Sequence, residues 1–505
     1  MKRKFVKRLF VRRVLVAFIL LFQLIFITFV IVSSNKYFDI AGYVLTAISI
    51  FAALHVVSKR SVQEFKLTWV FLMLLFPVFG GLFYIIFNCQ RSSRRLGTRI
   101  MQIHLDTKNE FMYRAESGKG PIAEYRKQIN YLQDYCGFPA YTHTFTQYLS
   151  PGEKKYAVLL EELEKAERYI FLEYFIIAEG TMWGTILEIL KRKAAQGIDV
   201  RLIYDDLGCL FNLPAEYPRT LRKMGIKCTA FNPFSPMLTV LQNNRDHRKI
   251  AVIDGVTAFT GGINLADEYI NAYDRFGHWK DASVMLKGRG AWSMTVMFLQ
   301  MWRLCTGENE NFSEFLPDVD FPSSPGAVQP YSDSPMDKEN ISENIYLQII
   351  NNAKKYVYIN TPYLIVDSAL LSALTLAAKS GVDVRIVTPY RADKRLVHMT
   401  TRSFYSELID NGVKIYEYTP GFIHSKVFVS DDHIAVIGTA NLDFRSLYLH
   451  FECGVKMYDT AAVIELRDDF LDTLRLCHRI TEDDCKCSIA VRIINEICRL
   501  FAPLL

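Results

Sequence analysis

Two short stretches of this chain write the same chemistry. Residues 247–254 read HRKIAVID and residues 424–431 read HSKVFVSD. Each holds a histidine, a lysine two places on and an aspartate five places after that. In an extended chain, positions i and i+2 face the same side. Each stretch is therefore predicted to be a strand that sets an imidazole beside an ammonium group, His247 with Lys249 and His424 with Lys426. Two such pairs in one pocket suit phosphoryl transfer from a diester. An imidazole of ordinary pKa near 6.5 serves near neutrality as nucleophile, acid or base. The lysines place positive charge where oxygen charge develops, so the chemistry requires no metal and no cofactor.

Other residues complete the set. Asn264 and Asn441 follow the small-residue turns GGIN and GTAN and offer carboxamide donors to phosphate oxygens. Asp254 and Asp431 close the two catalytic motifs and are expected to hold backbone and neighbouring side chains in register. Glu452 and Asp281 are candidate carboxylates for fixing a histidine ring nitrogen. Cys477, His478, Cys485 and Cys487 lie close in sequence, but their spacing fits no standard zinc pattern. The ten cysteines of this 505-residue chain read as reduced, mostly packed side chains in a cytosolic compartment.

The elements that position these residues also occur twice. RYIFLEYFI reads as a buried strand, MWGTILEILKRKAAQG as an amphipathic helix stopped at glycine, and IDVRLIYD as a second strand. LRKMGIKCTAFNP and the first motif follow. KYVYINTPYLI, SALTLAAKSGVDVRIVTP, LIDNGVKIYEYTP and the second motif repeat that order. Four matched blocks in one order constitute an internal repeat. Each half is predicted to be an α/β unit, a mixed sheet covered by helices. Residues 151–310 form the first and 341–505 the second, with 311–340 a linker or surface loop and 91–150 a connecting region.

Before residue 91 the chain is different. Residues 1–38 hold no Asp or Glu, and residues 1–13 carry seven Lys and Arg. Beside apolar sequence, that charge fits an anionic membrane surface better than nucleic acid. Residues 14–32, 38–57 and 67–87 are apolar and near the roughly 20 residues that a spanning helix needs. They predict transmembrane helices and a multi-pass protein of the cell membrane. Arg91, Arg94, Arg95 and Arg99 and the basic N-terminus both favour the cytoplasmic side, which three crossings cannot satisfy. The sequence leaves open whether two or three segments cross.

The doubled motif with its trailing asparagines resembles the phospholipase D superfamily. TGGINLADEY, HSKVFVSDDHIAVIGTANLDFRS and LTWVFLMLLFPVFGGLFYIIF are similar to bacterial cardiolipin synthases. The resemblance implies two duplicated phospholipase D-like α/β/α units packed as a pseudo-twofold pair, preceded by membrane helices, with catalysis at the cytoplasmic face. It implies phosphatidyl transfer between two phosphatidylglycerol molecules, His247 as nucleophile and His424 as acid and then base, with the swapped assignment open. The same histidines would serve a phospholipase D or a phosphatidylserine synthase, and the motifs do not report the acceptor. A non-catalytic membrane phosphate-binding scaffold is the reading of another class. Anionic lipids are the expected partners, nucleic acid is not, and a homo-oligomer is left open.

Overall fold

The apolar runs that open each repeat become the middle strands of two sheets. The computed structural model describes residues 21, 25, 28, 36–59, 62–76, 80–88, 91–115, 123–234 and 240–504. The first half supplies β1 (Thr144–Leu149), β2 (Tyr169–Tyr174), β3 (Asp199–Asp205), β4 (Lys227–Phe231), β5 (Lys249–Ile253), β6 (Thr257–Gly261), β7 (His278–Lys280) and β8 (Ser283–Gly288). The second supplies β9 (Ala327–Asp333), β10 (Tyr356–Asn360), β11 (Asp383–Pro389), β12 (Lys414–Tyr418), β13 (Gly421–Ile423), β14 (Val427–Ser430), β15 (Ile434–Gly438), β16 (Glu452–Tyr458) and β17 (Cys477–Arg479). The sheet orders are β1-β8-β6-β5-β2-β3-β4 and β17-β12-β11-β10-β14-β15-β16-β9. Apart from the edge strand β17, the orders match strand for strand. β2–β3–β4 and β10–β11–β12 are parallel, and the motif strands β5 and β14 turn antiparallel beside β2 and β10.

Every residue of β2 and of β10 is buried, as expected for a central strand covered on both faces. The helix Thr181–Ala195 buries Met182, Trp183, Ile186, Ile189 and Leu190 at helical spacing. The helix Ala291–Thr306 is buried along most of its length. The stretch 311–340 is not all loop, because it contributes β9, which lies beside β16 in the second sheet.

The two halves are stitched by short parallel pairings. β7 pairs with β13 in the register His278 to Gly421, Trp279 to Phe422 and Lys280 to Ile423. Asp246 bridges to Phe451. Both halves belong to a single compact unit, residues 98–233 and 245–495.

Residues 1–97, 234–244 and 496–505 form a second unit. Within it, helices Lys36–Ser58, Gln63–Leu75 and Gly80–Asn88 pack through Ala52, Val56, Met73 and Tyr84. Gly81 permits a close crossing. A Cβ there would stand 2.4 Å from the Cα of Ser49, and the Gly81 N–H donates to Ser49 Oγ at 3.0 Å. Thr68 Oγ1 donates to the Leu500 carbonyl at 2.8 Å, tying the C-terminal end to this bundle.

The expected transmembrane helices are corrected here. Among the described residues, no helix is long and apolar enough to cross a membrane. The segment expected at 67–87 divides into helices of 13 and 9 residues, with Pro77 in the sequence between them. At 1.5 Å per residue these span about 20 and about 14 Å, against about 30 Å of hydrocarbon. In the segment expected at 38–57, the run between Asp39 and His55 is 15 residues, about 22 Å of helix. The segment expected at 14–32 lies outside the described residues, save 21, 25 and 28. The fold is therefore two α/β repeats with a small helical unit, and the multi-pass membrane assignment falls.

Candidate active site

The motif histidines stand just ahead of their strands, not within them. β5 begins at Lys249 and β14 at Val427. Neither histidine gives its backbone N–H to its own sheet. His247 donates to Phe451 O at 2.9 Å, and His424 donates to Lys280 O at 2.7 Å. Each acceptor lies in the opposite repeat, so the backbone that binds the halves together also presents the rings.

The imidazoles are oriented by the same exchange. The Nδ1 of His247 lies 2.9 and 3.0 Å from the carboxylate oxygens of Glu452, in the second half. The Nδ1 of His424 lies 2.7 Å from Asp281 Oδ2, in the first half. Both carboxylates are fully buried. An Nδ1–H donated to a carboxylate leaves the Nε2 lone pair for chemistry. Thr439 Oγ1 donates to the second Glu452 oxygen and accepts from Cys453 N at 3.0 Å. Asp281 Oδ1 accepts from the Ala282 N–H at 2.7 Å.

The glycine doublet of GGIN now has a use. A Cβ on Gly262 would stand 2.1 Å from Asp281 Oδ1, so only glycine leaves that carboxylate where His424 needs it. Gly262→Ala is expected to lower kcat by about 100-fold through this displacement. Steady-state kinetics beside a thermal melt checks it, and an unchanged kcat would remove Asp281 from the positioning of His424.

The lysines stand with the rings. Lys249 Nζ donates to the carbonyl of His247 at 2.6 Å. Lys426 Nζ lies 3.0 Å from both ring nitrogens of His424 and donates to its carbonyl. Burial, then the charges of Lys249, Lys426 and His424, hold the His247 pKa well below its ordinary value. Burial and Lys426 lower His424 to about 4, with Asp281 working against them. Burial brings Lys249 down to about 8 and Lys426 to about 7. Burial works to raise Asp281, yet His424 and Lys426 prevail and hold it low, whereas burial leaves Glu452 raised. All four motif side chains and both carboxylates thus act on one another within one site.

Such a site favours an anionic ligand. Each depressed imidazole and ammonium group has its charged form disfavoured, and a phosphodiester restores that form. Binding is therefore expected to take up protons near pH 7, and affinity is expected to fall as pH rises through the raised pKa values of the complex. Calorimetry with a soluble short-chain phospholipid, in buffers of different ionisation enthalpy, measures the uptake. Proton release on binding would contradict these electrostatics.

The motif aspartates lie just past the ends of β5 and β14, against the starts of β2 and β10. Asp254, at φ 54°, accepts from the N–H groups of Glu167, Arg168 and Tyr169 at 2.7–2.8 Å. Asp431, at φ 57°, accepts from Lys354, Lys355 and Tyr356 at 2.7–2.9 Å. Each fixes the entry of the strand beside its motif strand. Asn264 accepts from Ile176 N at 3.0 Å and donates to Tyr269 Oη at 2.7 Å. Asn441 Nδ2 donates to Asp443 Oδ2 at 3.2 Å.

Three neighbours escaped the sequence reading. Asp205, at the end of β3, accepts from Arg245 at 2.9–3.1 Å and from the Asp246 N–H at 3.0 Å, and so anchors the approach to His247. Thr439 sits in the turn GTAN, read only for its asparagine. His450 places its ring 5.6 Å from that of His247. The signal for His450 was its position two before Glu452, the i, i+2 relation already used for the motifs.

Comparison with known proteins agrees with this geometry. The family described as "Cardiolipin synthase, PLD-like domain" matches residues 159–275 and 346–474. The family described as "Phospholipase_D-nuclease N-terminal" matches residues 47–87. A cardiolipin synthase of Geobacillus sp. (strain WCH70) is 35% identical over 87% of this chain and 88% of its own length. The chain belongs to the bacterial cardiolipin synthase-like branch of the phospholipase D superfamily. An uncharacterized protein of Streptococcus mutans serotype c is 44% identical over 90% of this chain and 99% of its own. Among solved structures, a phosphatidylserine synthase of Haemophilus influenzae Rd KW20 shares the fold, with a TM-score of 0.58, 12% identity, and coverage of 76% of this chain and 100% of that one. As a cardiolipin synthase-like enzyme, the chain carries the phosphatidyl-transfer type of chemistry.

Proposed function

We propose that this enzyme is a cardiolipin synthase, moving a phosphatidyl group reversibly from one phosphatidylglycerol to another through a phosphatidyl-histidine. The observation that carries the reading is the crossed orientation of the two imidazoles, each held at Nδ1 by a carboxylate of the opposite repeat. It leaves each Nε2 without a carboxylate partner, available for a two-step displacement at phosphorus.

His247, whose pKa burial and the neighbouring lysines hold well below its ordinary value, is the nucleophile in this reading. Its Nε2 attacks phosphorus, and the bond from phosphorus to the glycerol oxygen breaks. His424, brought to its imidazolium form by a proton taken up with the substrate and steadied by the ionised Asp281, gives its Nε2 proton to that oxygen and glycerol leaves. The hydroxyl of a second phosphatidylglycerol then gives its proton to His424 and attacks phosphorus. The phosphorus–nitrogen bond breaks, releasing cardiolipin and free His247. Lys249 and Lys426 stabilise the phosphoryl oxygens throughout. Asn264 and Asn441 each keep a second carboxamide N–H that can donate to the same oxygens.

The test is the purified full chain with phosphatidylglycerol vesicles and a chelator, its products resolved by mass spectrometry. Cardiolipin with an equal amount of glycerol supports the reading. Phosphatidic acid in place of cardiolipin makes water the acceptor and overturns it, and no product at all favours a binding scaffold.

A further inference from the structure

One largely buried side chain beside the nucleophile has no task in this mechanism. His450 is 12% exposed at its side chain, and neither ring nitrogen has a hydrogen-bond partner. Its backbone N–H is fixed on Arg445 O at 2.9 Å, so the ring is held in place. The Nδ1 of His450 lies 3.8 Å from Glu452 Oε1, beyond hydrogen-bond reach. That same carboxylate oxygen is 2.9 Å from His247 Nδ1. Buried imidazoles ordinarily find partners. Two imidazoles converging on one carboxylate oxygen, one at hydrogen-bond distance and the other beyond it, offer the donor set of a transition-metal ion.

We propose that His247, His450 and Glu452 form a site for a divalent cation of the zinc class, and that occupancy switches the enzyme off. One donor atom from each residue lies within 4.8 Å of the others. Tetrahedral zinc holds nitrogen and oxygen donors at about 2.0–2.2 Å, so two donors of one ion stand about 3.3–3.6 Å apart. A closing of the widest separation by about 1.5 Å at most, shared between two side chains, therefore completes the set. The two imidazoles and single carboxylate suit zinc, cobalt or nickel and do not suit magnesium or calcium, which take oxygen ligands.

Inhibition follows from the proton count. In the active state His247 carries its proton on Nδ1 and its lone pair on Nε2. A cation at Nδ1 moves that proton to Nε2, and a cation at Nε2 takes the lone pair directly. Either way no lone pair remains to attack phosphorus, and no proton is gained or lost overall. The cation site stands on geometry, while the loss of activity rests on the proposed nucleophilic role of His247.

The probe is Co²⁺, whose visible d–d bands report a low-coordinate site of nitrogen and oxygen ligands. The full chain, stripped with chelator, is titrated with Co²⁺ and then with competing Zn²⁺, and transfer is assayed in parallel. One Co²⁺ per chain, displaced by Zn²⁺, is expected, with activity falling in step with occupancy. Changes around metal ligands alone cost about 10–100-fold in affinity, so His450→Asn, which removes a ligand, is expected to weaken Co²⁺ binding by at least about 100-fold. The same variant is expected to keep its metal-free transfer rate and to lose its sensitivity to Zn²⁺. Absence of the bands, or bands and inhibition undiminished in His450→Asn, overturns the site. Stoichiometric binding that leaves transfer untouched retains the site and removes His247 from the nucleophilic role.

Discussion

His247→Ala is expected to reduce phosphatidyl transfer by at least about 10⁴-fold, because residues that act as one catalytic unit lose most of the rate when any one is removed. His424→Ala is expected to do the same with phosphatidylglycerol, and the two variants part company on an activated substrate. A phosphatidyl ester of 4-nitrophenol needs no acid to release its alcohol. His424→Ala should therefore give a burst of nitrophenol equal to the enzyme present and then stall, since nothing deprotonates the acceptor. His247→Ala should give no burst. The reverse pattern would exchange the roles. Transfer within about tenfold of the natural enzyme in either variant would remove that histidine from the chemistry.

Asp205→Ala is expected to destabilise the double-sheet unit by about 3–5 kcal/mol, because it strips the counterion from a buried guanidinium. Arg245 is 2% exposed, and Asp205 is fully buried. The carboxylate also accepts the Asp246 N–H, so the chain leading into His247 loses its anchor together with the ion pair. Urea unfolding followed by tryptophan fluorescence measures the loss. The double variant Asp205→Ala with Arg245→Met removes both charges and is expected to regain much of it, since an apolar pair of similar volume often equals a buried ion pair. A loss under about 1 kcal/mol for Asp205→Ala alone would show that solvent reaches Arg245 and that the pair does not hold the approach to His247.

These residues mark what a sequence discloses. His247, Lys249, His424 and Lys426 were legible because identical spacing recurred within a repeat, and Glu452 and Asp281 because a histidine of this kind needs a carboxylate at its second nitrogen. Asp205 was not legible. It ends a strand and reads as an ordinary strand-terminal acid, and its partner Arg245 is far away in sequence. The sheets followed from alternating apolar runs, but the placement of the histidines ahead of β5 and β14 did not. It depends on backbone hydrogen bonds to Phe451 and Lys280 in the opposite repeat, and local periodicity carries no record of them. The membrane helices were misread for a related reason. Apolar composition measures a tendency to leave water, not the continuity of a helix, and the run around Pro77 divides into two short ones.

The most direct measurement is to locate the phosphatidyl group on the protein. His424→Ala is mixed with the nitrophenyl ester, quenched at neutral pH or above, where phosphohistidine survives, and mapped by peptide mass spectrometry. A phosphatidyl adduct on the peptide bearing His247, absent from His247→Ala, is the predicted result. An adduct on another residue, or full turnover with none formed, would contradict it.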